Sequence, residues 1–578
     1  MNKHPNIIKP ILISIILFMG LQGCSKSASL QPDNIKPDSV TVVTKPADPA
    51  TAVTQGFFLD NWQPKTLVVP AFTDVENVPT GAVDATVTID AQNVVTKVSP
   101  YLFGNNINTF MSQVVTEPVL LKNMINLAPN IIRAPGGSLS DLFFWSATPG
   151  VKPADVPANI TVMGNKLGTD TALWYGKNTA PWTLSVDNYY RTLQSTNSTG
   201  IITINYGYAR YGTSAHPDQA AAHMAAEWVR YDRGRTKFWE IGNENYGIWE
   251  AGYKIDIAKN KDGQPETLTG ALYGQHFKVF ADSMRKAAAE VNSTIKIGAV
   301  MTASAVLGGT IIPNWNADVL GAINTYADFY IVHNYYTPFA ENSKAATILN
   351  TPATETHNMM TYIQASTSVA PKPIALSEWN IQATGNKQNV SNIAGLHAAM
   401  VLGEVIQSKY GEASRWALAG VWNKGDDMGL FSAGDEPGGA AKWSPRPAFF
   451  YLYYFQKYFG DRMVASAVTG NIDVVSYAST FTSGQAGVVI VNKGTADHVV
   501  TLDIKNFKAG ARYYYYTLKG GADATFSRQV IVNGIGPSGV SGGPDDYPSV
   551  KPFSTNVVKG LKVIVPAYGA VFLAVESK

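Results

Sequence analysis

The sequence is poor in cysteine and in charge. Its 578 residues include one cysteine, Cys24, so no disulfide can form within the chain. The 45 Lys and Arg residues are balanced by 43 Asp and Glu residues, whereas a nucleic-acid binder needs a strong basic excess or a basic stripe. The composition therefore excludes an internally disulfide-stapled scaffold and gives no support to a nucleic-acid partner.

The chain also lacks an apolar run long enough to cross a bilayer comfortably. Its longest N-terminal run, residues 11–21, follows a basic start and is shorter than the about 20 residues of a spanning helix. Gly23 and Cys24 come next, as at the end of a secretory signal peptide. The cysteine after a small residue resembles a bacterial lipobox, which implies cleavage before Cys24 and lipidation of Cys24. We expect a signal peptide over residues 1–23 and an exported lipoprotein at the bacterial outer membrane, facing the periplasm or the cell surface.

Aromatic residues, in contrast, are abundant. The chain has 12 Trp, 28 Tyr and 23 Phe. Such rings fill large cores, and they are also natural platforms for the apolar faces of sugars. Composition alone leaves both uses open.

Residues 24–80 combine small polar residues with scattered prolines. A stretch of this kind buries little apolar surface and favours an extended chain. We predict a flexible, lipid-anchored tether, from which Phe58 and Trp62 could dock onto the folded body.

The chain becomes periodic after the predicted tether. Residues 84–95 alternate between apolar and polar, which predicts a strand. Eight short apolar runs then alternate with longer amphipathic patterns, as in parallel strands buried on both faces and separated by helices. We predict an α/β fold, a (β/α)₈ TIM barrel, over residues 81–460, with the strand at 84–95 able to join the next domain. A doubly wound open sheet is the alternative. The eight runs cover residues 101–106, 130–136, 201–207, 237–243, 295–301, 328–335, 374–379 and 416–422.

The pattern changes again in residues 461–578. Seven short strand-like runs are separated by Gly, Asn and Asp turns, and no helical stretch intervenes. This pattern predicts a C-terminal β-sandwich appended to the barrel.

Two of the eight apolar runs end in a glutamate. The fourth run leads to Asn243 and Glu244, and the seventh leads to Glu378. In a barrel, these strand ends lie on opposite sides of one mouth, where active sites are built. Retaining glycosidases need two carboxyl groups about 5–5.5 Å apart, one as nucleophile and one as acid and then base. The pair predicts this chemistry.

The motifs around the glutamates resemble a known clan. Gly242-Asn243-Glu244 and Ser377-Glu378-Trp379 resemble the paired signatures of clan A retaining glycoside hydrolases. The resemblance covers residues 84–578. It implies that Glu244 is the acid/base, that Glu378 is the nucleophile, and that Asn243 holds the 2-hydroxyl of the sugar. Together with Arg-Ala-Pro-Gly-Gly at residues 133–137, the motifs are most similar to the α-L-arabinofuranosidase family and its relatives.

Further positions match the clan's strand ends. Arg133 resembles the arginine that supports the nucleophile; the less favoured alternative is that it pairs with a structural carboxylate. His333 and Tyr335 end the sixth run, and Trp422 ends the eighth, where an aromatic residue commonly floors the sugar site. Glu240 is left outside the predicted site. The other predicted substrate-binding residues are Asn106, Trp379, Tyr246 and Trp249.

Departures from the family leave the sugar open. Asn245 and Tyr246 follow the Gly-Asn-Glu motif where the family usually has Met or Pro, and the loop over residues 424–444 is peculiar to this chain. We expect arabinofuranosidase-like cleavage of plant or algal polysaccharides or oligosaccharides. The alternatives are an endo-acting β-glycanase on glucan, xylan or algal galactan, and a non-catalytic glycan-binding lipoprotein.

Neither a cofactor nor a metal is expected. His216 and His223 are seven residues apart on one predicted helix, about two turns, which is too far for shared ligation. Asp426 and Asp427 could bind Ca²⁺, but such a pair is more often a solvated turn.

Overall fold

A computed structural model describes residues 47–76, 78–162, 165–167, 173–307, 310–312, 314–366 and 371–578. Cys24 and the predicted signal peptide lie outside these residues, as does the predicted tether up to residue 46. The chain from Pro46 to Lys578 forms one unit. Among the described residues, no helix has both the length and the apolar character needed to cross a membrane.

Eight parallel strands close into a barrel, and each strand pairs with the next one along the chain. The eighth strand pairs with the first, which closes the ring. The predicted (β/α)₈ barrel is therefore confirmed. Barrel strands 1 to 8 are Gly104–Asn106, Ile131–Ala134, Thr199–Ile204, Phe238–Ile241, Lys296–Val300, Phe329–Asn334, Ile374–Trp379 and Glu412–Arg415.

Helices surround the barrel, and their ends follow local sequence signals. Pro118, Pro217 and Pro447 occupy first-turn positions, where a missing N–H removes no helical hydrogen bond. Ser185 and Ser391 cap two other helices by accepting hydrogen bonds from backbone N–H groups. The helices are Pro118–Leu127, Val186–Thr196, Tyr208–Tyr211, Pro217–Asp232, Gly270–Glu290, Trp315–Ile323, Ala345–Ser366, Asn392–Gln407 and Pro447–Tyr458.

The eighth strand lies before the run that was predicted for it. It spans Glu412–Arg415, whereas the prediction placed it at residues 416–422. Its polar side chains misled the prediction. The carboxyl group of Glu412 and the hydroxyl of Ser414 are buried and hydrogen-bonded to each other, so this strand does not read as apolar. Within the apolar run that follows, Ala419–Gly420 pairs with Phe431–Ser432 in the loop after the barrel.

The C-terminal residues form a sheet of eleven strands that includes two segments from before the barrel. Ala85–Lys97 pairs with Arg462–Thr469 on one side and His498–Lys505 on the other. The first barrel strand therefore begins at residue 104, and residues 85–97 belong to the sheet. Strands from both ends of the sheet share one apolar core, as in a sandwich. The sheet order is Thr73–Asp74, Phe553–Asn556, Ala509–Gly520, Gly569–Ser577, Ala486–Asn492, Val474–Thr480, Arg462–Thr469, Ala85–Lys97, His498–Lys505 and Lys562–Val565, with Val530–Val532 beside Ala509–Gly520.

The segment before residue 80 is packed onto this body. Phe58, in the short helix Gly56–Leu59, is fully buried against Tyr101, Phe238 and Phe329. Farther along, Thr73–Asp74 pairs with the edge of the sheet. The prediction of a flexible tether is therefore wrong for these residues, because large apolar side chains and unpaired backbone groups both find partners on the folded body.

Candidate active site

A tight turn at the end of barrel strand 4 presents Asn243 and Glu244 to the mouth. Gly242 has a φ of +81°, which a glycine adopts without strain. A Cβ at this position would also lie 1.9 Å from Oδ1 of Asn245. Gly242 is therefore required on two grounds, and the Gly-Asn-Glu motif acts as a turn that delivers its last two side chains.

A bulge in barrel strand 7 aims Glu378. Val332 on strand 6 pairs with Leu376, but the next residue, His333, pairs with Glu378, so Ser377 is skipped. Bulges re-aim side chains at functional sites. Here the bulge places Glu378 directly beside His333 on the neighbouring strand.

The fully buried guanidinium of Arg133 joins four barrel strands. It donates from Nη1 to Oε2 of Glu378 over 3.0 Å and from Nε to Oε2 of Glu240 over 2.6 Å. Two amide oxygens complete its shell, Oδ1 of Asn106 at 3.0 Å and Oδ1 of Asn243 at 2.9 Å. Glu240, which the prediction left outside the site, is thus the second carboxylate that balances this charge.

His333 lies between the two catalytic candidates. Its Nδ1 is 2.9 Å from Oε1 of Glu244 and 3.8 Å from Oε2 of Glu378. Its Nε2 is 3.3 Å from the hydroxyl of Ser377. Oxygens of the two glutamates lie within 4.8 Å of each other, so the barrel brings these two predicted residues together.

Each catalytic candidate also accepts a hydrogen bond from an aromatic side chain. The indole N–H of Trp249 donates to Oε2 of Glu244 over 2.8 Å. The hydroxyl of Tyr335 donates to Oε1 of Glu378. Both aromatic residues are half-buried, and each glutamate therefore has a second hydrogen-bond partner besides His333 or Arg133.

The two carboxyl groups have opposite pKa shifts. Burial raises the pKa of Glu378, and the charge of Glu244 adds to this effect, which Arg133, His333 and Tyr335 only partly offset. For Glu244, burial also raises the pKa, but the hydrogen bond and charge of His333 outweigh it, so the pKa falls below its usual range. His333 has this effect because it is in direct contact with Glu244.

Glu244, His333 and Glu378 are also, among the described residues, a group close enough to share a metal ion. Arg133 already places a positive charge 3.0 Å from Glu378, and like charges repel. At the other metal candidate, Asp427 forms an ion pair with the guanidinium of Arg446. Both carboxylates thus already have a cationic partner.

Three of the predicted aromatic residues lie outside the hydrogen-bonded group of Arg133, Glu244, His333 and Glu378. Trp379 is buried among Leu102, Leu402 and other apolar side chains behind the barrel wall, because it follows the inward-facing Glu378 on the same strand. Tyr246 is buried and packs edge-on against Trp249, so it supports that residue. Trp422 lies in the loop after strand 8, where the guanidinium of Arg528 sits 5.0 Å from its ring.

Trp416 takes the strand-end position that was predicted for Trp422. It directly follows barrel strand 8, and its ring lies against Gly136 and Gly137. A Cβ on Gly137 would approach the ring to 2.6 Å, so the two glycines make room for the indole beside Arg133. Placing the eighth strand four residues earlier in the sequence would have revealed Trp416.

Glu250 was also missed. It is fully buried, and its Oε1 accepts hydrogen bonds from Nδ2 of Asn243 over 3.0 Å and from the hydroxyl of Ser138 over 2.8 Å. Burial and the nearby charges of Asp141 and Glu244 raise its pKa well above the usual range. Arg133 and Glu250 therefore hold opposite ends of the Asn243 amide. No sequence signal distinguishes Glu250 from an ordinary surface glutamate in a loop.

Residues 123–351 match the family model described as the alpha-L-arabinofuranosidase 1 domain. The predicted resemblance to that family is confirmed, and the match supports a glycoside hydrolase. The matched stretch contains Arg133, Glu244 and His333, whereas Glu378 lies beyond it. A search of curated protein sequences gives no significant match.

Solved structures show the same fold at low sequence identity. An α-L-arabinofuranosidase from Thermotoga maritima, in complex with arabinose, is 17% identical and covers 85% of this chain and 100% of its own, with a TM-score of 0.59. CelM2, a bifunctional glucanase-xylanase from a metagenome library, is 14% identical over 86% and 99%, with a TM-score of 0.55. A Paenibacillus polymyxa xyloglucanase of family 44 is 10% identical over 86% and 100%, with a TM-score of 0.54.

Proposed function

We propose that this protein is a retaining glycoside hydrolase with Glu378 as nucleophile and Glu244 as acid/base. One carboxylate oxygen of Glu244 and one of Glu378 lie within 4.8 Å of each other, and this proximity carries the proposal. Retaining enzymes hold their carboxyl groups about 5–5.5 Å apart, whereas inverting enzymes keep about 6.5–9.5 Å for a water molecule. A water cannot attack from behind the sugar in the shorter gap, so direct attack by Glu378 is favoured.

The reaction proceeds by double displacement. Glu378 attacks the anomeric carbon while Glu244 gives its proton to the leaving oxygen, and a glycosyl ester of Glu378 forms. Glu244 then takes a proton from water, whose oxygen attacks the same carbon and releases Glu378 as carboxylate. Arg133 and Tyr335 stabilise that carboxylate through the hydrogen bonds already present in the site.

The proton on Glu244 depends on His333. A neutral imidazole with its hydrogen on Nε2, facing the hydroxyl of Ser377, presents a bare Nδ1 to Glu244. The 2.9 Å contact then requires a hydrogen on the carboxyl group of Glu244. A protonated His333 instead donates to a Glu244 carboxylate, which lowers the pKa of Glu244. In the proposed mechanism, His333 is therefore neutral when Glu244 carries the proton that it gives to the leaving oxygen.

The substrate proposal is an arabinofuranosyl-bearing plant or algal glycan. The match to the alpha-L-arabinofuranosidase 1 domain over residues 123–351 supports it. The fold similarity to a glucanase-xylanase and a xyloglucanase keeps an endo-acting β-glycanase as the second candidate.

The decisive experiment pairs Glu378→Gln and Glu244→Ala with a matched control. The parent is screened on 4-nitrophenyl α-L-arabinofuranoside, arabinoxylan, linear arabinan and xyloglucan. Glu378→Gln should abolish turnover, while Glu290→Gln, on an exposed helical residue, should match the parent. Added azide should restore turnover to Glu244→Ala and give a glycosyl azide of retained configuration. Full activity of Glu378→Gln, or an inverted product, would overturn the assignment.

We also propose that the protein is exported and anchored through lipid on Cys24. The lipobox-like sequence before this cysteine supports the proposal. Metabolic labelling with radioactive palmitate in a bacterial host should label the parent and leave Cys24→Ser unlabelled. Equal labelling of both proteins would contradict lipidation at Cys24.

A further inference from the structure

Two exposed aromatic side chains, Phe110 and Trp182, flank the half-buried ring of Trp174 on the barrel's catalytic face. The rings of Phe110 and Trp174 are 6.4 Å apart, and those of Trp174 and Trp182 are 5.9 Å apart. Phe110 is 44% and Trp182 is 55% exposed, although apolar groups of this size are usually covered. Exposed aromatic side chains that contact one another are typical of binding surfaces.

The position of this aromatic group ties it to the active site. Phe110 lies four residues beyond Asn106, which contacts Arg133, so its Cα is at most about 14 Å from that of Asn106. Trp174 pairs with Phe143, in the loop after barrel strand 2. All three residues belong to loops that follow barrel strands 1 and 2, at the end of the barrel that carries the catalytic residues.

Hydrogen bonds fix the two aromatic loops to each other. The amide of Gln113 donates to the carbonyl oxygens of Asn178 and Ala180, each over 3.0 Å. Its Oε1 accepts from the hydroxyl of Ser185 over 2.8 Å. The side-chain amide of Gln113 thereby braces the loop that bears Trp182 against the loop that bears Phe110, so the rings are held in place before any ligand arrives.

The loops around the rings carry almost no charge. Residues 107–116 contain no charged side chain, and residues 173–186 contain only Lys177. Amide and hydroxyl side chains accompany the rings. Neutral sugars present apolar C–H faces and hydroxyl groups, which suit this combination, whereas a uronic-acid polymer would meet one cation, Lys177, within these two ranges.

We propose that Phe110, Trp174 and Trp182 form a distal subsite that binds further residues of a neutral polysaccharide whose scissile bond lies between Glu244 and Glu378. This inference rests on the proposed glycosidase function and makes it specific, because the protein then acts on polymer chains in preference to small glycosides. The rings meet at 58° and 72°, so they offer faces in several directions and suit a bending chain better than a flat sheet of polymer.

The test compares Trp182→Ala with the parent and with Phe72→Ala, which removes an exposed ring from the β-sheet domain. Hydrolysis of arabinoxylan is measured beside hydrolysis of 4-nitrophenyl α-L-arabinofuranoside. Binding of arabinoxylan, linear arabinan and xyloglucan is measured in the Glu378→Gln background by affinity gel electrophoresis. We expect Trp182→Ala to weaken polymer binding and to lower the polymer-to-glycoside ratio of kcat/KM about five- to tenfold. Phe72→Ala should leave both quantities unchanged.

The two readouts separate failure of the subsite from failure of the proposed function. If Trp182→Ala weakens polymer binding but the parent hydrolyses no substrate, the subsite is supported and the enzyme proposal is overturned. Hydrolysis with an unchanged ratio in Trp182→Ala would overturn the subsite and leave the enzyme proposal standing. Binding to none of the three polymers would also overturn the subsite.

Discussion

At the scale of single residues, the hydroxyl of Tyr335 influences the pKa of the Glu378 carboxyl group. The Tyr335 hydroxyl donates to Glu378 and lowers its pKa, against the larger effect of burial. Tyr335→Phe removes this donor, so the pKa of Glu378 should rise. In the proposed mechanism Glu378 attacks as the carboxylate, so the acidic limb of the kcat/KM profile should move to higher pH. The measurement is a pH profile of the parent and the variant, and coincident acidic limbs would contradict the assignment.

Glu250 makes a separate prediction through Asn243. Burial and the nearby charges of Asp141 and Glu244 raise the pKa of Glu250, and glutamine retains the shape of this side chain and an oxygen that can accept from Asn243. Glu250→Gln should keep kcat/KM within about twofold of the parent. Glu250→Ala leaves the Asn243 amide without its acceptor and should lower kcat about tenfold.

Melting temperatures of both Glu250 variants serve as the control for folding. A loss of activity in Glu250→Ala without rescue by Glu250→Gln would contradict the role as a positioning residue. A merely structural role would lower the melting temperature and leave kcat of the folded fraction unchanged.

Sequence motifs predicted the residues that stand at strand ends. Arg133, Glu244, His333 and Glu378 follow apolar runs directly, so their common location could be inferred from the barrel alone. Glu250 could not be found in this way, because it lies in a loop and reaches Asn243 only through the turn after Gly242.

At the scale of elements, the short helix Gly56–Leu59 contacts residues that are far from it in the sequence. Phe58 packs against aromatic rings beside barrel strands 1, 4 and 6, with ring centroids 5.0 to 6.1 Å apart. Phe58→Ala would leave a cavity there and should lower the free energy of unfolding by about 3–5 kcal/mol. Phe72→Ala, at an exposed ring, should cost far less. Urea unfolding of both variants measures the difference, and equal midpoints would show that the segment is only loosely attached.

Element boundaries were predictable where burial and apolar character coincide. Strand Ile374–Trp379 has the bounds that the sequence predicts. Glu412–Arg415 was missed because three of its four buried side chains are polar. The packing of Gly56–Leu59 was only a suggestion from its aromatic residues, since the proline-rich sequence around it is typical of a free chain.

At the scale of the whole molecule, buried acids make stability depend on pH. Burial raises the pKa of Glu412 to about 8, with a further contribution from the charge of Glu240. The folded state therefore holds a proton that the unfolded state releases above its ordinary pKa of about 4.3. Stability contributed by this group is full at low pH and is lost as the pH rises from about 4 to 8.

Glu412→Gln should remove this dependence, because glutamine does not titrate. The parent should unfold more easily at pH 8.5 than at pH 5.5, by at most about 3 kcal/mol from this residue, and the variant should show a smaller difference. Melting temperatures at the two pH values measure the effect. An equal slope in parent and variant would mean that other groups control it.

Because Arg133 is hydrogen-bonded across four barrel strands, enzymatic activity should be a sensitive measure of whether the barrel is closed. Its hydrogen bonds reach residues on barrel strands 1, 4 and 7 from its own place on strand 2. A barrel that opens at any seam between these strands separates Arg133 from one of its partners before much helix is lost. Substrate turnover should therefore vanish early in unfolding, ahead of the far-ultraviolet signal, and so distinguish an opened barrel from an unfolded one.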